Sequence, residues 1–281
     1  MKKIYLDYQI LVRLMNENEP LLEELIHYID RTKFQLVYSP AHIEEMAVST
    51  KRNSYPIEKT KEKLAFLSAL TNNTEILPFK RTDVRIIEDL GAYLCEEHPE
   101  RCYTRVSENY KNNDLAEKME EEFLDEATEK NIYGNDPNIM NNINPEAVLS
   151  EPTYDLQTKE AIFMSLLSLR KYNKDQIREL MGTSSNLQEF TFPLIKKDYQ
   201  VIETAMQIVF NKLEEIRYRP EKKKNFRSRL HDVSHAIYAA YCDYFITEDS
   251  KLFDKTKAAY AYLKQETMVT NIKGLRSIVS N

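Results

Sequence analysis

Four acidic residues stand where a parallel sheet would gather them. Asp7 closes an apolar run at the start of the chain, and Glu45 falls one turn into a helix that follows a second such run. Asp232 begins a helical stretch, residues 230–241, and Asp249 follows a short apolar run at 244–247. In open parallel sheets, functional groups collect beyond the carboxyl ends of the strands, and all four acids satisfy that placement. Carboxylates gathered in one place repel one another unless cations intervene, so the cluster implies a metal. Hard oxygen ligands with room for water suit Mg²⁺ or Mn²⁺. Such a site lowers the pKa of a water and holds a phosphate oxygen, which is the chemistry of phosphodiester hydrolysis.

Each acid has a plainer alternative. Asp7 could be a turn residue, Asp232 an acid that complements its helix dipole, and Asp249 a loop cap. Glu44 competes with Glu45. Asp243 lies on the same edge of the 230–241 stretch as Asp232 but eleven residues on, roughly 16 Å along a helix. Paired catalytic metals sit about 4 Å apart, so one site cannot use both. Asp232 is retained because the following strand runs back toward the helix start, and Asp243 is set aside. His231 and His235 share a helix face at a spacing that can bind zinc. The plainer reading makes them structural, with His235 a polar neighbour of Asp232 one turn away.

The elements that must position these acids follow from periodicity. Residues 3–8, 34–38 and 74–78 read as short strands, and residues 19–29 and 53–70 as helices. Ser39-Pro40 opens the helix that carries Glu45, with Ser as cap and Pro at the first helical position. From 79 to 229 the pattern changes to helices and polar loops, with a connector at 133–152 and amphipathic helices at 157–170 and 199–216. Helix 230–241, strand 244–247, helix 251–264 and strand 267–270 then restore the alternation of a parallel α/β sheet. The expected organisation is an α/β domain made from residues 1–78 and 230–281, interrupted by a mostly α-helical insertion at 79–229.

Composition narrows the function classes. Only 4 Gly occur in 281 residues, and no glycine-rich nucleotide-binding string is present. The three cysteines, Cys95, Cys102 and Cys242, show no CxxC spacing, which points to a reduced, cytoplasmic protein. Asp7 and Gln9 interrupt the first apolar run, so no signal peptide is expected. No run reaches membrane-spanning length. Net charge is −6, so cations for a polyanion must be local. Residues 217–229 (RYRPEKKKNFRSR) hold seven basic side chains against one acid. The run reads either as a solvated loop or as a phosphate contact, in which case Lys222, Lys223, Lys224, Arg227 and Arg229 are the candidates.

The string HDVSHAIYAAYCDYFITEDSKL, residues 231–252, resembles the carboxy-terminal half of PIN-domain nucleases, where an Asp-led helix precedes a strand ending in Thr-x-Asp, here Thr247-Glu248-Asp249. IYLDYQIL is similar to that family's first strand and Asp, and SPAHIEEM to its Ser-then-Glu helix. The resemblance covers the two ends of the chain. It implies a PIN-like parallel sheet flanked by helices, with Asp7, Glu45, Asp232 and Asp249 as the metal-binding quartet and Ser39 and Thr247 as their polar neighbours. It further implies a nuclease whose partner is nucleic acid, RNA before DNA. A homo-oligomer or a protein partner is compatible with this reading, and two alternative functions stay open: a PIN-like scaffold that binds RNA or protein without cutting, and an HD-type phosphohydrolase suggested by His231-Asp232. The last needs further His ligands on an all-helical scaffold, and only His27, His42 and His98 are left to supply them.

Overall fold

The computed structural model describes residues 1–16, 20–52, 57–109, 114–182 and 186–280. The chain forms two compact units: Met1–Asp114 with Tyr238–Phe253 and Thr267–Asn281, and Leu115–Ile237 with Asp254–Glu266. In chain order the first unit opens with β1 (Lys2–Leu6), α1 (Tyr8–Asn16), α2 (Pro20–His27), β2 (Phe34–Val37), α3 (Pro40–Arg52) and α4 (Ile57–Thr71). Next come β3 (Thr74–Leu77), β4 (Arg85–Asp89), β5 (Tyr93–Glu96) and α5 (Pro99–Asn109). The following helices are α6 (Asp114–Lys130), α7 (Pro137–Met140), α8 (Pro152–Ser168), α9 (Lys174–Met181), α10 (Tyr199–Glu215) and α11 (Phe226–Ala239). β6 (Tyr244–Ile246), α12 (Ser250–Tyr262), β7 (Met268–Thr270) and α13 (Ile272–Val279) close the chain.

The first unit is α/β. Its four-stranded sheet has the order β2-β1-β6-β7, and every neighbouring pair is parallel. Register pairs Tyr5 with Val37 on one side and with Phe245 on the other. Consecutive residues Ile4, Tyr5 and Leu6 are all buried, as are Phe245 and Ile246, because both faces of a central parallel strand are covered. Alternation assigns the faces. Ile4, Leu6, Phe34, Leu36, Tyr244 and Ile246 join one core with Leu11, Leu22, Ile26 and Leu275 from α1, α2 and α13. Tyr5 faces the other way, its ring edge-on to Phe245 at 5.8 Å.

The parallel α/β sheet agrees with the expectation, whereas the place of β3 does not. Residues 74–77 pair antiparallel with β5 in a separate three-stranded sheet, β3-β5-β4. A single parallel bridge, Tyr38 to Glu75, ties β3 to the first sheet. Strands β4 and β5 were hidden because RIIED in β4 is almost wholly exposed and carries no buried alternation. They, with α5, also move the boundary: the first unit runs on to Asp114 rather than ending at 78. The expected insertion, 79–229, is thus shortened at its start, while the second unit extends to Ile237 and takes in Asp254–Glu266. That unit is helical around α10, whose Val201, Ile202, Ala205, Val209 and Leu213 are buried. Among the described residues, no helix is long and apolar enough to cross a membrane.

The bridge between the two sheets of the first unit is filled by buried polar groups. Glu75 is 0% exposed and accepts from Arg105 Nη2 at 3.0 Å and from the Cys102 thiol at 3.0 Å. Glu97, also buried, accepts from Arg81 Nη1 at 2.7 Å and from Arg105 Nη2 at 3.0 Å. Burial, then the adjacent Glu97 carboxylate, pushes the pKa of Glu75 up to about 8 from an ordinary 4.5, against the pull of Arg105. Burial also pushes on Glu97, but its bonds to Glu75 and Arg81 outweigh that and leave its pKa lowered. Between pH 4.5 and about 8 the folded chain therefore keeps a proton on Glu75 that the unfolded chain releases. Stability falls across that window and levels off above it, because the native state binds more protons than the unfolded one. Glu75→Gln, which copies the protonated acid, is expected to flatten that decline; denaturant midpoints measured at intervals over the window check it, and a parent-like slope in the variant refutes it.

Candidate active site

The carboxyl edge of β1 and β6 builds the site from neighbouring backbone. Leu6 pairs with Ile246 in register, so the residues that follow, Asp7 and Thr247, emerge side by side. The Asp7 amide donates to Ile246 O at 2.8 Å and continues the ladder one step past the strand. Thr247 Oγ1 then donates to Asp7 Oδ2 at 2.7 Å and accepts from the Asp249 amide at 3.1 Å. One hydroxyl thereby links the two acids, and those distances of 2.7 and 3.1 Å put Asp7 Oδ2 no more than about 6 Å from the Asp249 nitrogen. Asp7 and the Asp249 backbone, far apart in the chain, thus stand on either side of one hydroxyl.

Asp249 also does the plainer job foreseen for it. Its Oδ1 accepts from the Lys251 amide at 2.8 Å and the Leu252 amide at 2.9 Å, capping α12. The cap occupies Oδ1 and fixes the side-chain rotamer, which leaves Oδ2 outside the cap. Asp7 is 3% exposed, so its carboxylate is nearly desolvated.

Glu45 enters through a buried latch at the start of α3. Tyr5 OH and Ser39 Oγ share a hydrogen bond of 2.6 Å, and the Ser39 amide donates to His42 Nδ1 at 3.1 Å. A carbonyl only accepts, so His42 Nε2, 2.8 Å from Leu6 O, carries the proton. A single neutral tautomer satisfies both contacts. The His42 ring lies 4.7 Å from that of Tyr5, and Tyr5, Ser39 and His42 are all buried. α3 is thus stapled to the last turn of backbone before Asp7. Burial holds the Tyr5 phenol pKa well above its usual value, with further upward pushes from Asp7 and Glu45, so both carboxylates lie within electrostatic range of that ring. The sequence alone gives His42 no role beyond being one of the histidines left for the HD-type alternative. Its i+3 spacing from Ser39, the candidate cap, was the available signal.

Asp232 is placed differently. It is half-buried on α11 in the part of that helix belonging to the second unit. The helix begins at Phe226 rather than at 230, so Asp232 sits at the end of its second turn. Dipole complementation fades beyond the first turn, which removes that alternative for Asp232. His235 is buried on the same helix. Asp243, set aside above, accepts from the Lys3 amide at 2.7 Å and anchors the opposite, amino-terminal end of β1 and β6. His231 and Asp232 stand side by side on α11 in the helical second unit, and among the described residues no group of three His, Cys, Asp or Glu that could hold a metal lies there.

The basic run is largely committed to protein. Arg229 is 1% exposed, ion-paired with Glu120 and, at 3.4 Å, with Glu214, and it donates to Asn211 Oδ1 at 2.6 Å. It is a buried structural cation and is withdrawn as a phosphate contact. Arg227 Nε pairs with Glu117 at 2.8 Å while part of its side chain stays exposed. Lys222 and Lys224 are exposed, whereas the side chain of Lys223 lies outside the described residues.

The donors suit a hard cation by type, being carboxylate oxygens with one bound to a neutral hydroxyl. Among the described residues, no three His, Cys, Asp or Glu side chains converge at metal-ligand spacing. Bare carboxylates 4 Å apart repel by about 1 kcal/mol in water and about 4 at intermediate dielectric, which opposes convergence before a cation arrives. Comparison of the chain with protein-family models, curated proteins and solved structures returns no match.

The Thr247 hydroxyl is the joint of this arrangement. Thr247→Val keeps shape and removes the donor to a nearly buried carboxylate, an expected loss of about 1.5–3 kcal/mol in folding stability. Thr247→Ser, which restores the hydroxyl, is expected to recover most of it. Chemical denaturation of both variants tests this, and equal stability of Val and Ser variants would count against the bond.

Proposed function

We propose that the chain is a metal-dependent nuclease with a PIN-like fold, hydrolysing phosphodiester bonds in RNA before DNA. The observation that carries this reading is the Thr247 hydroxyl linking Asp7 and the Asp249 backbone at the carboxyl edge of a parallel sheet, with Glu45 on α3, the helix that His42 ties to Leu6 O. Asp7, Glu45 and Asp249 are the proposed ligands in the first unit, and the resemblance adds Asp232. Mg²⁺ or Mn²⁺ bound there supplies positive charge for the phosphate and lowers the pKa of a water. The chain's own contribution is orientation. Thr247 fixes one Asp7 oxygen, the α12 cap fixes Asp249, and the His42 latch fixes the helix of Glu45. Burial of Asp7 strengthens its attraction for a cation by lowering the local dielectric. Lys222 and Lys224, with the exposed part of Arg227, remain candidate phosphate contacts.

Cleavage of labelled single-stranded RNA, transfer RNA and DNA by the purified chain, with Mg²⁺ or Mn²⁺ and with chelator, tests the proposal. Activity is expected only with the metal. Asp7→Asn and Asp249→Asn keep the hydrogen-bond acceptors, and Asn caps a helix as well as Asp. Each is expected to cost about 4 kcal/mol of transition-state stabilisation, roughly a thousandfold in rate. Asp243→Asn is expected to cut at a rate near that of the parent. Parent-like rates in the first two variants overturn the reading, and binding of RNA without turnover by the parent would instead assign a non-cutting scaffold.

A further inference from the structure

An acidic metal site needs cations beside it to carry the rest of a polyanion, and Arg229 is closed off in its own unit. The first unit holds a different basic surface. A cleft of about 630 Å³ opens among α1, α2 and α13, within the size range of ligand clefts. Arg13, Lys273 and Arg276 line it against one acid, Glu24, so it is locally positive in a chain of net charge −6. Lys273 and Arg276 are exposed and lie three residues apart on α13, which puts both on one edge of the helix. Leu25 gives the cleft an apolar floor, and Tyr28 stands at it with 67% of its surface exposed. Large exposed aromatics beside paired cations are the elements from which single-strand binding surfaces are made, base on ring and phosphate on cation.

One residue that lines the cleft, Ile272, touches the neighbour of Asp249. The amide of Ile272, the first residue of α13, donates to Glu248 Oε1 at 2.8 Å, and Glu248 directly precedes Asp249. From that junction α13 leads away from the acids, carrying Lys273 and then Arg276. We propose that this cleft is a binding subsite for a single nucleic-acid strand, with phosphates on Lys273 and Arg276 and an unpaired base against Tyr28. The inference rests on the nuclease reading and adds to it the path by which substrate leaves the site. A base stacked on Tyr28 is recognised by its face, so the subsite tolerates any sequence. Duplex, whose bases are already stacked, is excluded from it.

Binding of a fluorescent single-stranded oligoribonucleotide of mixed sequence, measured by anisotropy in chelator so that nothing is cut, tests the subsite. The full chain is compared with Lys273→Ala/Arg276→Ala and with Tyr28→Ala over a salt series. The double variant is expected to bind more weakly and to lower the slope of log K against log salt by about 1.4, or about 0.7 for each phosphate contact. Tyr28→Ala is expected to weaken binding about fivefold or more with the slope unchanged, since stacking releases no counterions. All these positions are exposed, and circular dichroism confirms that the variants fold. If the parent binds and cuts and every variant binds as the parent does, the subsite is wrong and the nuclease reading stands. If the parent neither binds the strand nor cuts it, the nuclease reading falls and takes the subsite with it.

Discussion

The pairing of β1 with β6 is the constraint on which the first unit's arrangement depends. It joins positions 240 residues apart, as the Thr247–Asp7 bond records. Closing a loop of that length costs about 5 kcal/mol of chain entropy. Strand β6 has only three residues to offset it, Tyr244, Phe245 and Ile246. They succeed because each is buried, and a large apolar side chain contributes about 1.5–3 kcal/mol when it leaves water. Once Leu6 lies against Ile246, the next residue of each strand has no freedom to be elsewhere. Asp7 and Thr247 are neighbours as a consequence of register, and a slip of one residue would turn every side chain of the strand to the opposite face.

Buried polar groups in this protein are answered in two ways. Around Glu75 and Glu97 the answer is charge, from Arg81 and Arg105, with a proton that burial keeps on Glu75. Arg229 with Glu120 and Glu214 is a second case, and Lys255 adds to it at 2.5 Å from Glu214. Carboxylates neutralised in this manner hold structure together and have little left for a ligand. At the carboxyl edge of the sheet the Thr247 hydroxyl, a neutral group, donates to Asp7 and orients one of its oxygens. The Tyr5–Ser39–His42 latch is likewise neutral.

A good part of this was legible in the residues. The alternation of short apolar runs with helical periodicity announced a parallel α/β sheet, because strands covered on both faces must be continuously apolar. Asp7 and Asp249 were placed at one edge by the sequence because each follows a strand, and the carboxyl ends of strands in such a sheet share an edge. Ser39-Pro40 marked the start of α3 through local capping chemistry. α11 starts four residues before the stretch that periodicity marks, because FRSR carries no apolar stripe in its first turn.

What the sequence by itself determined is therefore the set of local identities: which runs are strands, which residues cap helices, and which acids follow strands. Those depend on interactions within a few positions of each residue. Partnership is a different quantity. Nothing local to 74–77 says whether it joins β2 in parallel or β5 antiparallel, since both satisfy the same backbone groups. Nothing local to Arg229 says that Glu120 and Glu214 will enclose it, or that Arg276 will be left facing a cleft. His42 acquired its place because Leu6 O and the Ser39 amide converge on its two nitrogens only after β1 and α3 have packed. Tertiary structure decided these, because the free energy of a buried polar group is set by its neighbours in space rather than in sequence.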